Sequence, residues 1–300
     1  MKPALTIESK VSLNDGRLIP QLGLGVWQTR AGATCEAAVL TAIEAGYRHI
    51  DTASMYGNEE SVGAAIRKSG IPREQIFVTT KLWNSDHGNP ERALKTSLHR
   101  LKMDYVDLYL IHYPVRQRIQ SWHALELLRE HGKARSIGVS NFTIKHLTEL
   151  LRETNTIPAV NQVEFHPYLY QRDLLEFCRR SGIVLEAYSP LTKGERLKDR
   201  KLVAIAKKYA SARPQAGDSK PRIPLMESFS RRSDSKSTAQ ILIRLRYSTG
   251  LSSFPSQPIP SASRKMPTSS ISRSAQRTWS FSTASMKICE LAGIRRRLHD

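Results

Sequence analysis

Gly46-Tyr47-Arg48-His49-Ile50-Asp51-Thr52-Ala53, with Tyr56 three residues beyond, reads as the end of a buried helix, a short strand and a loop. That loop presents an acid and a phenol together. Two further apolar runs end the same way. Ile76-Phe77-Val78-Thr79-Thr80 closes on Lys81, and Val106-Asp107-Leu108-Tyr109-Leu110-Ile111 closes on His112. Ionisable residues at the C-terminal ends of successive strands stand where an α/β barrel keeps its chemistry. The pattern points to an enzyme.

Working outward, Asn14-Asp15-Gly16 predicts a tight turn joining two short strands. After it, strand-like runs alternate with helical periodicity. The run Leu22 to Trp27 precedes a helix at about 34–45, 49–51 precedes 59–69, 76–81 precedes 91–101, and 106–111 precedes 119–131. Ser136 to Ser140 then precedes 143–152, Val160 to Phe165 precedes 171–180, and Ile183 to Ala187 precedes 200–209. Seven strand–helix units in order predict parallel strands with helical crossovers. In the helix near Ile119, the residues Trp122, Leu125, Leu127 and Leu128 read as the buried side. A doubly wound dinucleotide fold would need GxGxxG between its first strand and helix. Gly23 and Gly25 are present, but Gln28 fills the third position and no helix begins there.

Three hundred residues suffice for one large domain, and 40% hydrophobic content is ordinary for a soluble chain. No long apolar run follows Met1, so neither a signal peptide nor a membrane span is expected. Cys35, Cys178 and Cys289 are odd in number and widely spaced, which predicts a reduced, cytoplasmic chain without disulfides or a metal site. The net charge of +19 invites a nucleic-acid reading. Its distribution argues against one, because residues 211–300 contribute +11 and residues 1–210 only +8. Most of the excess belongs to a Ser-rich tail that is anomalous on other grounds.

Residues about 10–209 resemble the aldo-keto reductase family, which includes diketogluconate reductases. The likeness rests on ordered blocks: Pro20 to Trp27, Gly46 to Ala53, Thr80-Lys81-Leu82-Trp83, Leu110-Ile111-His112-Tyr113-Pro114, Gly132 to Phe142, Asn161 to Pro167 and Tyr188-Ser189-Pro190-Leu191. The resemblance implies a (β/α)8 TIM barrel with an N-terminal β-hairpin. It also implies reduction of aldehydes and ketones with a nicotinamide cofactor, NADPH, and a chain that is monomeric.

The residue types agree with that chemistry. Carbonyl reduction needs a hydride from one side and a proton for the developing alkoxide. Tyr56 is the candidate general acid. A free phenol has a pKa of about 10 and burial raises it, so a nearby cation is needed. Lys81 can supply that charge, with Asp51 holding it, and a neutral His112 can orient the substrate oxygen. Singly, each has a structural alternative: an internal ion pair, a rim aromatic, a satisfied core histidine. Together at successive strand ends they read as catalytic.

By resemblance, Ser140, Asn141 and Gln162 hydrogen-bond the nicotinamide carboxamide and Tyr188 stacks on its ring. Ser189 and Leu191 lie beside the pyrophosphate. Ser140 and Asn141 also suit a plain strand-end turn. Trp27, Trp83 and Tyr113 are expected to wall an apolar pocket for a small carbonyl substrate, or else to be packing aromatics.

The chain departs from the family after Tyr209. The family's eighth strand ends in a sequence like Ile-Pro-Lys-Ser, followed by an arginine and Glu-Asn that hold the adenosine 2′-phosphate; none of these appears in register. Ala210 to Ser235 forms an anomalous insert of about 26 residues, of the kind a retained intron produces. Helical pattern resumes over residues 236–244, and residues 245–300 form an aberrant basic tail. Codons permitted for Ser253 to Ser263, read in another frame, allow Ile-Pro-Lys-Ser-Thr-His-Pro-Glu-Arg-Ile. The same treatment of Met286 to Asp300 allows a family-like C-terminus and a stop. A frame error accounts for both. The expectation is therefore an eighth strand and C-terminal segment that are missing or disordered, with Leu251 to Phe254 at most a short imitation. Two other functional readings stand beside the reductase. One is an inactive barrel with a damaged cofactor site; the other is a basic tail that binds nucleic acid or anionic membrane.

Overall fold

The computed structural model describes residues 6–196 and 198–211, all within one compact unit, Met1–Phe254. The insert beyond Ser211, the segment 236–244 and the tail 245–300, with the expectations placed on them, lie outside the described residues.

The hairpin forms as expected. β1 (Lys10–Ser12) pairs antiparallel with β2 (Leu18–Pro20), bringing Val11 opposite Ile19. Gly16 turns the chain at φ 83°, and Asp15 Oδ1 accepts from the Arg17 amide at 3.1 Å. A side chain with Cβ rarely adopts that φ.

Seven parallel strands follow in chain order: β3 (Leu24–Gly25), β4 (His49–Asp51), β5 (Phe77–Leu82), β6 (Val106–Ile111), β7 (Ala134–Ser140), β8 (Val160–Glu164) and β9 (Val184–Tyr188). The crossovers are α1 (Ala33–Glu44), α2 (Glu59–Lys68), α3 (Pro90–Leu101), α4 (Arg118–Glu130), α5 (Ile144–Glu153) and α6 (Arg172–Arg180); α7 (Arg200–Ser211) follows β9. This is the strand–helix order of a (β/α)8 barrel. Among the described residues β3 and β9 are the sheet edges. β3 is shorter than the Leu22 to Trp27 run, although the Val26 amide still donates to the Asp51 carbonyl at 3.0 Å.

Strands with two buried faces read as continuous apolar runs, and all six residues of both β5 and β6 are buried. Side-chain alternation along a strand splits the core in two. Tyr109 and Ile111 pack with helix residues such as Trp122, Leu125 and Leu147. Leu108 and Leu110 face inward with Phe77, Val160, Val184 and the hairpin's Leu13 and Ile19. The hairpin is tied across the strand N-termini by Asn14 Nδ2 donating to the Pro158 carbonyl at 3.0 Å and Arg17 Nε to the Arg135 carbonyl at 2.9 Å. Leu127 corrects one sequence reading. It is 54% exposed, because it lies on the opposite side of α4 from Trp122, Leu125 and Leu128.

Candidate active site

The inward parity of the strands gathers the site. His49 and Asp51 on β4, Thr79 and Lys81 on β5, Gln162 on β8 and Glu186 and Tyr188 on β9 share the parity of the inner core residues. Ser140 ends β7 in register with Gln162, and His112 follows β6 immediately. Gly138, at this parity on β7, cannot be replaced freely: a Cβ there would stand 2.6 Å from the Val160 carbonyl oxygen.

Lys81 is wholly buried, and three oxygens surround its ammonium. Nζ donates to Asp51 Oδ1 at 2.6 Å, to the Thr52 carbonyl at 2.9 Å and to the Tyr56 hydroxyl at 3.5 Å. Burial works against its charge. Asp51 foremost, then Tyr56 and Glu186, outweigh that penalty, and the lysine pKa stands above its ordinary value. Tyr56 sits on a 3-10 turn, Ser54–Tyr56, closed by Gly57 at φ 68°. Ser54 Oγ ties the turn to β5 by donating to the Lys81 carbonyl at 3.0 Å. Burial raises the Tyr56 pKa, and Lys81 pulls it part of the way back. The phenol therefore keeps its proton at neutral pH with a cation alongside.

His112 is pushed down to about 3, chiefly by burial and then by Lys81, so it is a neutral imidazole at neutral pH. Its buried Nδ1 has no hydrogen-bond partner. The ring stacks on Tyr113 with centroids 5.1 Å apart and meets Trp83 and Tyr56 edge-on at 5.1 and 5.8 Å.

Ser140, Asn141, Gln162 and Tyr188 form one polar chain. Asn141, at φ 62°, donates from Nδ2 to the His112 carbonyl at 3.0 Å and accepts the Tyr188 hydroxyl on Oδ1 at 2.9 Å. Ser140 Oγ donates to the Gln162 carbonyl at 2.9 Å. Gln162 Nε2 donates to Asp51 Oδ2 at 2.8 Å, joining this chain to the ion pair.

Asp51, Tyr56, His112, Ser140, Asn141, Gln162 and Tyr188 line one cavity of about 660 Å³, together with Trp27, Tyr113, Ser189 and Leu191, whereas buried Lys81 does not. Trp83 is not among its lining residues; it packs edge-on against Tyr113 at 6.1 Å as well as against His112. A row of amide and hydroxyl groups beside a flat, half-buried phenol ring fits a carboxamide-bearing aromatic ring such as nicotinamide.

The structure adds residues that sequence reasoning missed. Met55 lines the cavity. Asn58 is fully buried; its Nδ2 donates to the Val26 and Thr29 carbonyls at 2.9 and 3.2 Å, and Oδ1 accepts from Thr52 Oγ1 at 2.8 Å. It holds the Trp27 segment against the loop carrying Tyr56. An asparagine two residues after a candidate tyrosine was the available signal. His49, Asp51 and Glu186 also converge, with potential ligand atoms within 4.8 Å of one another. No metal-like spacing in the sequence announces that cluster.

The sequence matches the Aldo/keto reductase family over residues 21–290. Methylglyoxal reductase DkgA of Yersinia pestis is 50% identical over 193 residues, covering 63% of this chain and 69% of the relative. Glyoxal reductase of Bacillus subtilis is 47% identical over 207 residues, covering 68% of this chain and 75% of the relative. The crystal structure of a Bombyx mori aldo-keto reductase in complex with NADP aligns with TM-score 0.63 at 38% identity, covering 69% of this chain and 77% of that one. The chain belongs to the aldo/keto reductase family of oxidoreductases. NADP(H) is the family's usual cofactor. No helix among the described residues is long and apolar enough to cross a membrane.

Proposed function

We propose that the chain reduces small aldehydes and ketones with NADPH, with Tyr56 as the general acid. The observation that carries this reading is the line Asp51–Lys81–Tyr56, built on a wholly buried lysine, with neutral His112 beside it at the cavity. NADPH, when bound, supplies the hydride to the carbonyl carbon. Ser140, Asn141 and Gln162 hold its carboxamide, and Tyr188 supports the ring. Ser189 and Leu191 flank the pyrophosphate. The apolar wall of Trp27, Tyr113 and Met55 excludes water and seats the substrate, while Trp83 supports it through His112 and Tyr113. His112 orients the carbonyl oxygen towards the Tyr56 hydroxyl. As negative charge grows on that oxygen, Tyr56 transfers its proton and the Lys81 ammonium stabilises the phenolate left behind.

Because two relatives are named for methylglyoxal and glyoxal, small dicarbonyls are the substrates to try first. The test is NADPH oxidation by the purified full chain with methylglyoxal, beside Tyr56→Phe. Carbonyl-dependent oxidation that falls ~10²–10⁴-fold in the variant supports the reading. Equal rates would remove Tyr56 from its role. No turnover, with no binding of NADPH, would favour the inactive barrel.

A further inference from the structure

The reductase machinery accounts for one inward carboxylate, Asp51, but the barrel holds a second beside it. Glu186 is the parallel-register partner of Gln162 across β8 and β9, so it shares the inward face. One of its carboxylate oxygens lies within 4.8 Å of an Asp51 oxygen and of a His49 ring nitrogen. Its Oε2 is buried without a hydrogen-bond partner. A buried carboxylate oxygen with no donor is costly unless a charge nearby offsets it. Both Asp51 oxygens are already engaged, by Lys81 and by Gln162. His49 Nε2 is 3.0 Å from Thr79 Oγ1. Asp51 and His49 are therefore committed to the protein's own groups, which leaves Glu186 Oε2 as the oxygen of the cluster without a hydrogen bond. The cation bonded to this cluster is Lys81, whose Nζ donates to Asp51 Oδ1 at 2.6 Å.

We propose that Glu186 is a positioning residue for the reductase reaction: a second counter-charge that keeps the Lys81 ammonium seated against Asp51 and through it acts on Tyr56. This rests on the reductase reading above and extends it. One carboxylate binds the ammonium and a second stands within 4.8 Å of the first, and the fields of both act across a low-dielectric interior. The effect of Glu186 on Lys81 has the same sign as that of Asp51.

The groups that share this field come from every surrounding element. β4 brings His49 and Asp51, β5 brings Lys81, the turn after β4 brings Tyr56, and His112 and Tyr113 follow β6. Glu164 ends β8, Tyr188 ends β9, and Tyr47 precedes β4. Removing the Glu186 anion lowers the pKa of the Lys81 ammonium. The alkaline limb of turnover, which belongs to the Tyr56–Lys81 pair, must then move to lower pH.

Two measurements on the full chain decide it. The first is the pH profile of kcat for Glu186→Gln and for Glu186→Met, a second uncharged variant. Both are expected to shift the alkaline limb to lower pH, and Glu186→Asp to keep it near the wild-type position. A packing role would give the reverse order, with Gln silent and Asp disruptive, and would overturn the proposal. The second needs no activity: a double-mutant cycle of Glu186→Gln with Lys81→Met, read as the denaturation midpoint. The Glu186 substitution is expected to lower the midpoint when Lys81 is present and to leave it unchanged or raise it when Lys81 is absent. Equal effects in both backgrounds would refute the coupling. A wild-type chain without turnover would sink the reductase reading while leaving the cycle to judge Glu186.

Discussion

Gln162 donates from Nε2 to Asp51 Oδ2 at 2.8 Å, occupying the oxygen that Lys81 does not take. The residue assigned by resemblance to the nicotinamide is thereby in contact with the carboxylate assigned to the ion pair. The proposed cofactor-binding and acid–base residues thus share a hydrogen bond. The carboxylate is held from both sides.

Lys81→Met should be costly on two counts. It strands Asp51 in the barrel interior, and breaking a buried pair from one side costs about 3–5 kcal/mol. It also removes the cation beside Tyr56, so turnover falls as well. Chemical denaturation and NADPH oxidation on the same sample check both. A stable, active variant would show the pair to be dispensable.

His112 predicts an acid-dependent stability. Its folded pKa of about 3 lies below the ordinary value of 6.5. The unfolded chain therefore binds the proton that the folded chain refuses, and stability is lost as pH falls from 6.5 towards 3. Above that window the contribution is full. In His112→Gln the loss between these pH values should be shallower, which denaturation midpoints at several pH values would reveal.

Asn58→Ala leaves the Val26 and Thr29 carbonyls and the Thr52 hydroxyl without their buried partner. The expected cost is about 1–3 kcal/mol. Because the Trp27 wall loosens relative to Tyr56, KM for the carbonyl should rise more than kcat falls. A variant with normal stability and an unchanged KM would remove Asn58 from the positioning of the pocket.

Gly63→Ala tests the packing behind the site. A Cβ on Gly63 in α2 would stand 2.1 Å from the carbonyl oxygen of Leu101 at the end of α3. Overpacking of this kind costs about 1–3 kcal/mol. Thermal unfolding should move down without a change in the shape of the pH–activity profile. An unmoved midpoint would mean that α2 and α3 separate freely.

Much of this protein was legible in its residues. Apolar runs such as Val106 to Ile111, each ended by an ionisable group, determined parallel strands with chemistry at their C-terminal ends. The helices fell within a residue or two of their expected bounds through α6, and α7 ran on to Ser211, because helical periodicity is a local signal. Leu127 shows the limit of that method: nearness to Leu125 and Leu128 in sequence did not put it on their face.

What only the tertiary structure decided are the relations between strands far apart in the chain. Gln162 lies 111 residues from Asp51, and no sequence spacing announces that they touch. The same holds for Glu186 beside Asp51 and His49, and for Asn58 clasping Val26. Nor does the sequence say which side of His112 loses its hydrogen bond, or how far burial drives its pKa. Those properties depend on distance and exclusion of water, which exist only once the strands have come together around the site.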